Sequence, residues 1–236
     1  MSLLELHEVR TGYGSHTVLR GLSMSIADGE FCALIGPNGH GKTTLLRAIS
    51  GLVPLWSGKI ALGGADLGHM RPDQIVAAGV VHVPQGDMLF PEMTLLDNLR
   101  MGAYLPDAAA QEATRLEEVF ALLPKLRDRR GQIASTLSGG ERRMVGIGRG
   151  LMAGGRLLML DEPSLGLAPI VIDQIYEVVE RLRESGRAVL VVEENASRIA
   201  PHADRMHLLD NGTFAWTGKG AEFLSHPEIL ATYLGG

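Results

Sequence analysis

Gly36-Pro37-Asn38-Gly39-His40-Gly41-Lys42-Thr43 follows directly after the apolar stretch Phe31-Cys32-Ala33-Leu34-Ile35. This order of strand, GxxxxGK[ST] loop and helix is the pattern of a phosphate-binding loop. The glycines allow consecutive backbone N–H groups to point at phosphate oxygens, and a helix that begins at Lys42 adds the positive end of its dipole. The sequence therefore predicts a site for a nucleoside triphosphate.

The residues of this loop are predicted to hold both the triphosphate and a metal ion. Lys42 would place a positive charge near the β and γ phosphates, and the Thr43 hydroxyl would be a ligand for Mg²⁺. The predicted nucleotide-binding residues in this part of the chain are Gly36, Pro37, Asn38, Gly39, His40, Gly41, Lys42, Thr43 and Thr44.

A second glycine-rich motif, Leu137-Ser138-Gly139-Gly140-Glu141, marks the start of another helix. Met144, Ile147 and Leu151 recur after it at helical spacing, so Ser138 is expected to be the N-cap. A helix N-terminus attracts anions, yet the first loop already holds one phosphate chain. The second anion site is therefore most useful if it closes over a nucleotide held by another subunit, which predicts a dimer.

Together these motifs resemble the ATP-binding subunits of ABC transporters, and the resemblance covers essentially the whole chain. Residues 137–141 are similar to the signature of that family, with Glu141 in place of the commoner glutamine. The resemblance implies that ATP and Mg²⁺ are bound and that two subunits pair head to tail. The residues implied to act on the nucleotide of the other subunit are Ser138, Gly139, Gly140 and Glu141.

The stretch Leu157-Leu158-Met159-Leu160-Asp161-Glu162 ends an apolar run with two carboxylates. A continuous apolar run is typical of a parallel strand that is buried on both faces of its sheet. The stretch resembles the Walker B element of the family. The resemblance implies that Asp161 helps to hold Mg²⁺ and that Glu162 acts as the general base toward the attacking water.

Three shorter stretches resemble further elements of the family. Gln85 resembles the Q-loop glutamine, whose amide contacts the metal and the water, although a lone glutamine is usually surface filler. Tyr13 resembles the aromatic residue that stacks on adenine, and a turn or core aromatic is the alternative. Ser164-Leu165-Gly166-Leu167 falls where the family has its D-loop, which normally ends in aspartate. The implied catalytic residues are Glu162, Gln85 and Lys42, and the implied metal ligands are Thr43, Gln85 and Asp161.

Two further positions depart from the family pattern. Glu194 stands where most members have a switch histidine, and a carboxylate cannot donate a hydrogen bond to the γ phosphate. It also adds like-charge repulsion beside Glu162, so we expect slow hydrolysis or dependence on a partner subunit. His40 replaces a small residue, and we expect its side chain to point away while its backbone N–H faces phosphate.

Composition limits the classes of function. The chain has 236 residues, a formal net charge of −5 and a sequence pI of about 5.9, which gives no support to nucleic-acid binding. Its only cysteine, Cys32, lies in an apolar stretch and reads as a small core residue. No run of 18 apolar residues occurs, so a membrane role requires partner proteins. We expect a peripheral protein on the cytoplasmic face of the inner or plasma membrane.

The expected fold is an α/β ABC cassette of the P-loop NTPase type. It has a mainly parallel core sheet flanked by helices, an N-terminal antiparallel β layer and a helical subdomain. We expect one domain over residues 1–236, with the nucleotide-binding core in 1–85 and 141–236 and the helical subdomain in 86–140. Local patterns predict a cap at Thr94, a helix over 108–123, a helix face of Val171, Ile175, Val178 and Leu182, and a hairpin turn at Asn211-Gly212.

Within the family, the Asp161–Pro169 and Val192–Ala196 stretches and the terminal Tyr233-Leu234-Gly235-Gly236 resemble one kind of subunit. It is the shorter of the two ATPases that power importers of branched-chain amino acids, a group that includes importers of urea and related solutes. The resemblance implies a second ATPase or a second copy of this chain, two membrane permeases and, indirectly, a periplasmic solute-binding protein. The segment around Phe90, Pro91, Met93 and Leu95 either receives a permease or forms subdomain core. A non-transport ABC ATPase is the less favoured alternative.

Overall fold

The computed structural model describes residues 2–86 and 88–225, so the terminal stretch 233–236 lies outside the described residues. Its strands, numbered in chain order, form two sheets. They are β1 (Ser2–Tyr13), β2 (His16–Ala27), β3 (Phe31–Ile35), β4 (Ser57–Leu62), β5 (Ala65–Asp66), β6 (Val80–Val83), β7 (Leu157–Asp161), β8 (Ala188–Glu193), β9 (Arg205–Asp210) and β10 (Thr213–Gly218).

The smaller sheet is antiparallel, with the strand order β2-β1-β4-β5. The larger sheet has the order β10-β9-β3-β8-β7-β6, and its strands are parallel except for the antiparallel pair β9–β10. The predictions of an N-terminal antiparallel layer and a mainly parallel core sheet are confirmed. The hairpin turn at Asn211-Gly212, between β9 and β10, is confirmed as well.

Helices connect the strands and cover the sheets. They are α1 (Lys42–Ile49), α2 (Pro72–Ala78), α3 (Leu95–Arg100), α4 (Pro106–Ala110), α5 (Glu112–Leu122), α6 (Pro124–Asp128), α7 (Gly139–Met152), α8 (Pro169–Glu184), α9 (Ala196–Ile199) and α10 (Gly220–Phe223). Across the described part of the chain, none of these helices has the length and apolar character needed to span a membrane.

Strand β3 separates two hydrophobic cores because alternate side chains of a strand face opposite sides of its sheet. Phe31, Ala33 and Ile35 pack with residues of α7 and α8 in one core. Cys32 and Leu34 pack with α1 and the antiparallel sheet in the other. Both faces of the core sheet are therefore covered, as its apolar strands predict.

Several helix predictions are confirmed and one is wrong. Ser138 and Thr94 are the N-caps of α7 and α3, as predicted. The helix predicted over residues 108–123 is instead α4 and α5, because Gln111 leaves helical geometry and its N–H bonds to the Ala108 carbonyl one residue too early. The predicted face of α8 is confirmed: Ile175, Val178 and Leu182 are buried in one core, and the half-buried Val171 packs against it.

The apolar segment after Gln85 divides between surface and core. Leu95 is completely buried in the helical layer and is not available to a permease, so the core alternative is correct for this residue. Phe90 is 45% exposed. Pro91 is exposed as well, and Met93 is half-buried.

Candidate nucleotide-binding and hydrolytic site

The site lies at one edge of the core sheet, where parallel strands end side by side. Strand β8 lies between β3 and β7, and the three strands are parallel. The loop after β3 therefore lies beside the end of β8, and the end of β8 lies beside the end of β7. The carboxyl ends of parallel strands meet at the same edge, which is where open α/β sheets bind ligands. This topology brings the Gly36–Gly41 loop, Asp161–Glu162 and Glu194 together from distant parts of the chain.

Glycine is required in the loop after β3 for two different reasons. Gly39 and Gly41 have φ angles of 83° and 109°, which favour glycine over residues with a side chain. A Cβ atom on Gly36 would overlap the carbonyl oxygen of Leu209 in the neighbouring strand. The backbone therefore turns tightly from β3 into α1, and α1 begins at Lys42 directly behind the loop.

The Lys42 ammonium group lies inside this loop. Its Nζ atom donates to the carbonyl oxygens of Gly36 and Pro37 at 2.7 and 3.2 Å, and it is 3.9 Å from Glu162 Oε1. Burial lowers the pKa of Lys42, and the neighbouring Glu162 carboxylate opposes that shift. The position of this cation matches the need of a triphosphate for positive charge.

Thr43 and Asp161 form the second polar pair of the site. The Thr43 hydroxyl donates to Asp161 Oδ1 at 3.3 Å, although the two residues are 118 positions apart. Burial raises the pKa of the Asp161 carboxyl. Among the described residues, no group of three acidic, histidine or cysteine side chains forms a full metal cage. One hydroxyl and one carboxylate fit Mg²⁺, which usually takes one or two protein oxygens together with substrate phosphates.

Glu162 is held in an unusual conformation beside this pair. It is buried, with 7% of its surface exposed, and its φ angle of 46° lies in the left-handed region that disfavours side chains. The Gln85 side chain donates its Nε2–H to Glu162 Oε2 at 2.8 Å. Burial raises the pKa of the Glu162 carboxyl, and the Lys42 charge opposes this shift. A raised pKa makes a carboxylate a stronger proton acceptor than an ordinary glutamate.

Glu194 and His40, which depart from the family pattern, each contact another segment of the chain. Asn38 Nδ2 donates to Glu194 Oε1 at 2.8 Å, so the carboxylate lies beside the phosphate loop, and its charge contributes to the raised pKa of Glu162. The His40 ring instead turns toward the β9–β10 hairpin, where Nδ1 is 2.9 Å from Asp210 Oδ1. The His40 side chain therefore points out of the loop, as expected.

The sequence motifs assign no role to one buried carboxylate of this region. Glu193 is 2% exposed and accepts hydrogen bonds from the Ser164 N–H at 3.1 Å and from the Ser164 hydroxyl at 2.9 Å. Burial raises the pKa of Glu193. It ties the segment after β7 to the end of β8. A charged residue that ends an apolar strand is the sequence signal that points to it.

Tyr13 lies at the edge of the site, at the end of β1. It is 46% exposed, and its hydroxyl accepts a hydrogen bond from Arg47 Nη1 on α1 at 3.3 Å. A partly exposed aromatic ring beside the helix that follows the phosphate loop is available to stack on a base. The turn alternative is also consistent with its place between β1 and β2.

The second predicted anion site, at the start of α7, is partly occupied by a carboxylate of its own helix. Ser138 accepts from the Glu141 N–H, and the Ser138 N–H donates to Glu141 Oε2 at 2.9 Å, which forms a capping box. The Ser138 N–H, together with the nearby Arg129 guanidinium, holds the pKa of Glu141 below its ordinary value. Gly140 lies so close to Val171 that an added Cβ atom would be 2.9 Å from the valine.

The structure thus joins Lys42, Thr43, Gln85, Asp161, Glu162 and Glu194 by direct contacts or by their electrostatic effect on Glu162. Ser138 and Glu141 contact each other and Arg129 instead. The arrangement supplies a cation, oxygen ligands and a carboxylate base around one loop, which suits it to the hydrolysis of a phosphate anhydride.

Comparison with known proteins agrees with this geometry. The family model described as "ABC transporter" matches residues 19–165. The chain is 40% identical over 234 residues to BraG of Pseudomonas aeruginosa, a high-affinity branched-chain amino acid transport ATP-binding protein, with 99% of this chain and 100% of BraG covered. It is 32% identical to LptB of Escherichia coli, the ATP-binding protein of a lipopolysaccharide export system, with 100% and 98% covered.

Solved structures share the fold over the full length of the chain. A nucleotide-free ATP-binding cassette from an ABC transporter superposes with a TM-score of 0.89 at 27% identity, and all of both chains is covered. The ADP conformation of an ATP-binding cassette of an ABC transporter gives the same TM-score, identity and coverage.

Proposed function

The chain belongs to the ABC transporter family of ATP-binding proteins, and from this premise we propose that it powers an importer of branched-chain amino acids. The contact that carries the hydrolytic part of the proposal is the 2.8 Å hydrogen bond from Gln85 to Glu162. It aims a buried carboxylate of raised pKa at the loop that contains Lys42. The identity with BraG supports the choice of solute.

ATP binding is assigned to the loop after β3. The backbone N–H groups at the start of α1 and the Lys42 ammonium group would hold the β and γ phosphates, and Tyr13 would stack on the adenine. Thr43 and Asp161, with Gln85, would hold Mg²⁺, which neutralises charge on the phosphates when it is bound. The Lys42 amine is already directed into the loop by two carbonyl oxygens, so little reorganisation of that side chain is needed.

Hydrolysis is assigned to Glu162 and Gln85. Glu162 accepts a proton from the water that attacks the γ phosphate, and the Gln85 amide holds the carboxylate in position. The raised pKa of Glu162 makes the carboxylate a better proton acceptor than an ordinary glutamate. Glu194 acts against this step because its charge lies near Glu162 and it offers no proton to the phosphate.

The active form is proposed to be a head-to-tail dimer with a second ABC ATPase or with a second copy of this chain. The start of α7, residues Ser138, Gly139, Gly140 and Glu141, would close over the nucleotide of the other subunit. ATP binding then brings the subunits together, and hydrolysis separates them. At the start of α7 the Ser138 N–H and the Ser138 hydroxyl both donate to Glu141. This contact supports the proposal, because an incoming phosphate must compete with that carboxylate.

Two membrane permeases are the proposed partners on the surface near Gln85. Exposed apolar side chains follow Gln85 in the chain at Met88, Phe90, Met101 and Tyr104, with exposed fractions of 68%, 45%, 44% and 58%. Exposed apolar groups near a hydrolytic site suit a docking surface for a partner. The protein would then lie on the cytoplasmic face of the membrane, and a periplasmic binding protein would deliver the solute. Import of urea or another small amide by the same machinery is the alternative.

The proposal is tested by isolating the subunit from gently solubilised native membranes and identifying the proteins that remain bound. Two permeases and a second ABC ATPase support the importer assignment. The purified complex should then hydrolyse ATP faster when a binding protein loaded with leucine is added, and urea should have no such effect. Recovery of a soluble homodimer alone, or of ribosomal or DNA-repair proteins, would contradict the transport assignment.

A further inference from the structure

Arg143 lies on α7, five residues after the Ser138 cap, and its side chain is almost completely buried, with 4% exposed. Arginine is rarely buried to this extent unless its N–H groups have partners. Here the guanidinium donates to main-chain carbonyl oxygens of two separate segments. One of these segments contains Gln85 and the other contains Glu162.

On the first segment, Arg143 holds the main chain on both sides of Gln85. Its Nη1 atom donates to the Pro84 carbonyl oxygen at 3.3 Å and to the Gly86 carbonyl oxygen at 3.0 Å. The residues that flank Gln85 are thereby fixed to α7. The direction of the Gln85 side chain depends on this short stretch of backbone, because Gln85 itself is exposed.

On the second segment, Arg143 holds Glu162 itself. Its Nη2 atom donates to the Glu162 carbonyl oxygen at 3.0 Å, while the Glu162 N–H donates to the Val192 carbonyl oxygen at 2.9 Å. The peptide groups on both sides of Glu162 are therefore bonded. A left-handed conformation at a residue with a side chain persists only where the surroundings enforce it, and these two bonds do so.

One guanidinium thus fixes both ends of the Gln85–Glu162 hydrogen bond. Ser138 is the N-cap of the same helix, and five residues of helix correspond to a rise of about 7.5 Å. A shift of the start of α7 therefore moves the group that positions the base. We propose that Arg143 is a positioning residue that couples the engagement of Ser138–Gly140 by the opposite nucleotide to the alignment of Gln85 and Glu162. This inference rests on the proposed function for its dimer.

The test compares Arg143→Gln, Arg143→Lys and a control, Arg115→Gln, in the purified transporter complex. Arg115 also donates to a main-chain carbonyl oxygen, that of Met152 at 2.9 Å, but it contacts the far end of α7. We expect Arg143→Gln to lower kcat roughly 10- to 100-fold while KM for ATP changes less than about twofold, because a misaligned group slows chemistry more than binding. Arg143→Lys should recover part of this loss, and Arg115→Gln should keep the wild-type kcat.

A second measurement on the isolated full-length subunit does not depend on the importer assignment. Hydrogen–deuterium exchange at the amides around Gln85 and Glu162 should be faster in Arg143→Gln than in the wild type, and unchanged in Arg115→Gln.

The proposed coupling would be overturned by equal exchange in all three proteins, by a wild-type kcat in Arg143→Gln, or by an equal loss of kcat in Arg115→Gln. If Arg143→Gln does not fold, a wild-type kcat in Arg143→Lys would overturn it. A wild-type complex without ATPase activity would contradict the proposed function, and the exchange result would still decide the role of Arg143.

Discussion

The helices α1 and α7 both follow glycine-rich turns, but the N–H groups at their starts have different partners. α1 begins at Lys42 after Gly41, its first turn has no acidic residue, and in the described stretches no side chain caps it. α7 begins after Ser138 with a complete capping box, and its first turn contains Glu141. The first turn of α1 has no carboxylate, whereas the first turn of α7 already holds one.

Because of this difference, we assign nucleotide binding to the start of α1 and dimer closure to the start of α7. The start of α1, with Lys42 beside it, has no acidic residue in its first turn and, in the part of the chain that the structure describes, no side-chain cap, so its N–H groups are available to a phosphate chain. At α7 an incoming phosphate meets the charge of Glu141, which Arg129 neutralises only in part at a distance of 3.0 Å. The α1 site is therefore expected to bind nucleotide in the isolated subunit, whereas the α7 site needs the binding energy of a dimer.

The largest expected effect comes from removing the base on the α1 side. Glu162→Gln should lower kcat of the complex roughly 10²- to 10⁴-fold, the usual contribution of a general base, while ATP binding persists because Lys42 and the loop are intact. Steady-state ATPase assays and nucleotide titrations measure the two effects. Glu177→Gln, at an exposed acid on α8, is the control and should retain wild-type kcat.

The pH profile of the same assays provides a second check on Glu162. Only the ionised carboxylate accepts a proton, and burial raises its pKa. The rate should therefore rise with pH through a pKa above that of an ordinary glutamate, and this limb should be absent in Glu162→Gln. A limb of identical position in both proteins would exclude Glu162 as its source.

A smaller effect is expected at Glu194, which bonds to Asn38 beside α1. Glu194→His removes a negative charge near Glu162 and introduces a side chain that can donate to the γ phosphate. We expect kcat of the complex to rise roughly 10-fold, less than the full value of a preorganised donor because the bond to Asn38 is lost. Glu194→Gln is the matched control, since it removes the charge without the imidazole. Unchanged turnover in Glu194→His would contradict the idea that this position limits hydrolysis.

The features that sequence patterns predicted correctly depend on neighbours along the chain. The start of α1 at Lys42, the caps at Ser138 and Thr94 and the turn at Asn211-Gly212 all follow from local residue chemistry. Thr43 and Asp161 pair although they are 118 positions apart. Their shared role could be predicted from the sequence only because both residues lie in recognisable motifs.

Other features depend on packing between distant elements, which local patterns do not contain. The contacts of Arg143 and of Glu193 are made by side chains with carbonyl and hydroxyl groups on other segments. The break at Gln111 was missed because the alanine-rich composition around it favours a continuous helix. The unpredicted side-chain contacts and the missed helix break both occur where tertiary contacts supplement or override local preference.

The charge at the start of α7 is expected to have a modest effect. Glu141→Gln keeps an amide oxygen for the capping box but removes the carboxylate charge from the helix N-terminus. Since such a charge is worth about 0.3–1 kcal/mol, the apparent affinity of ATP-driven dimer closure should rise about two- to fivefold. Sedimentation of the subunits with ATP measures it in a Glu162→Gln background, which prevents turnover. ATP affinity of the isolated subunit should not change, because α1 and not α7 holds its nucleotide.

The smallest effect is expected when the α7 cap itself is removed. Ser138→Ala should lower the free energy of unfolding by about 1 kcal/mol, or Tm by roughly 2–4 °C, because the Glu141 N–H loses its acceptor. Thr94→Ala is the matched control, since Thr94 caps α3 by the same bond to Asp97 at 3.1 Å. Both variants should melt earlier by a similar amount, yet only Ser138→Ala should lower the ATPase rate of the complex. Weaker ATP binding by isolated Ser138→Ala subunits would show that the two helix starts are not independent, because α7 would then contribute to the nucleotide site of its own chain.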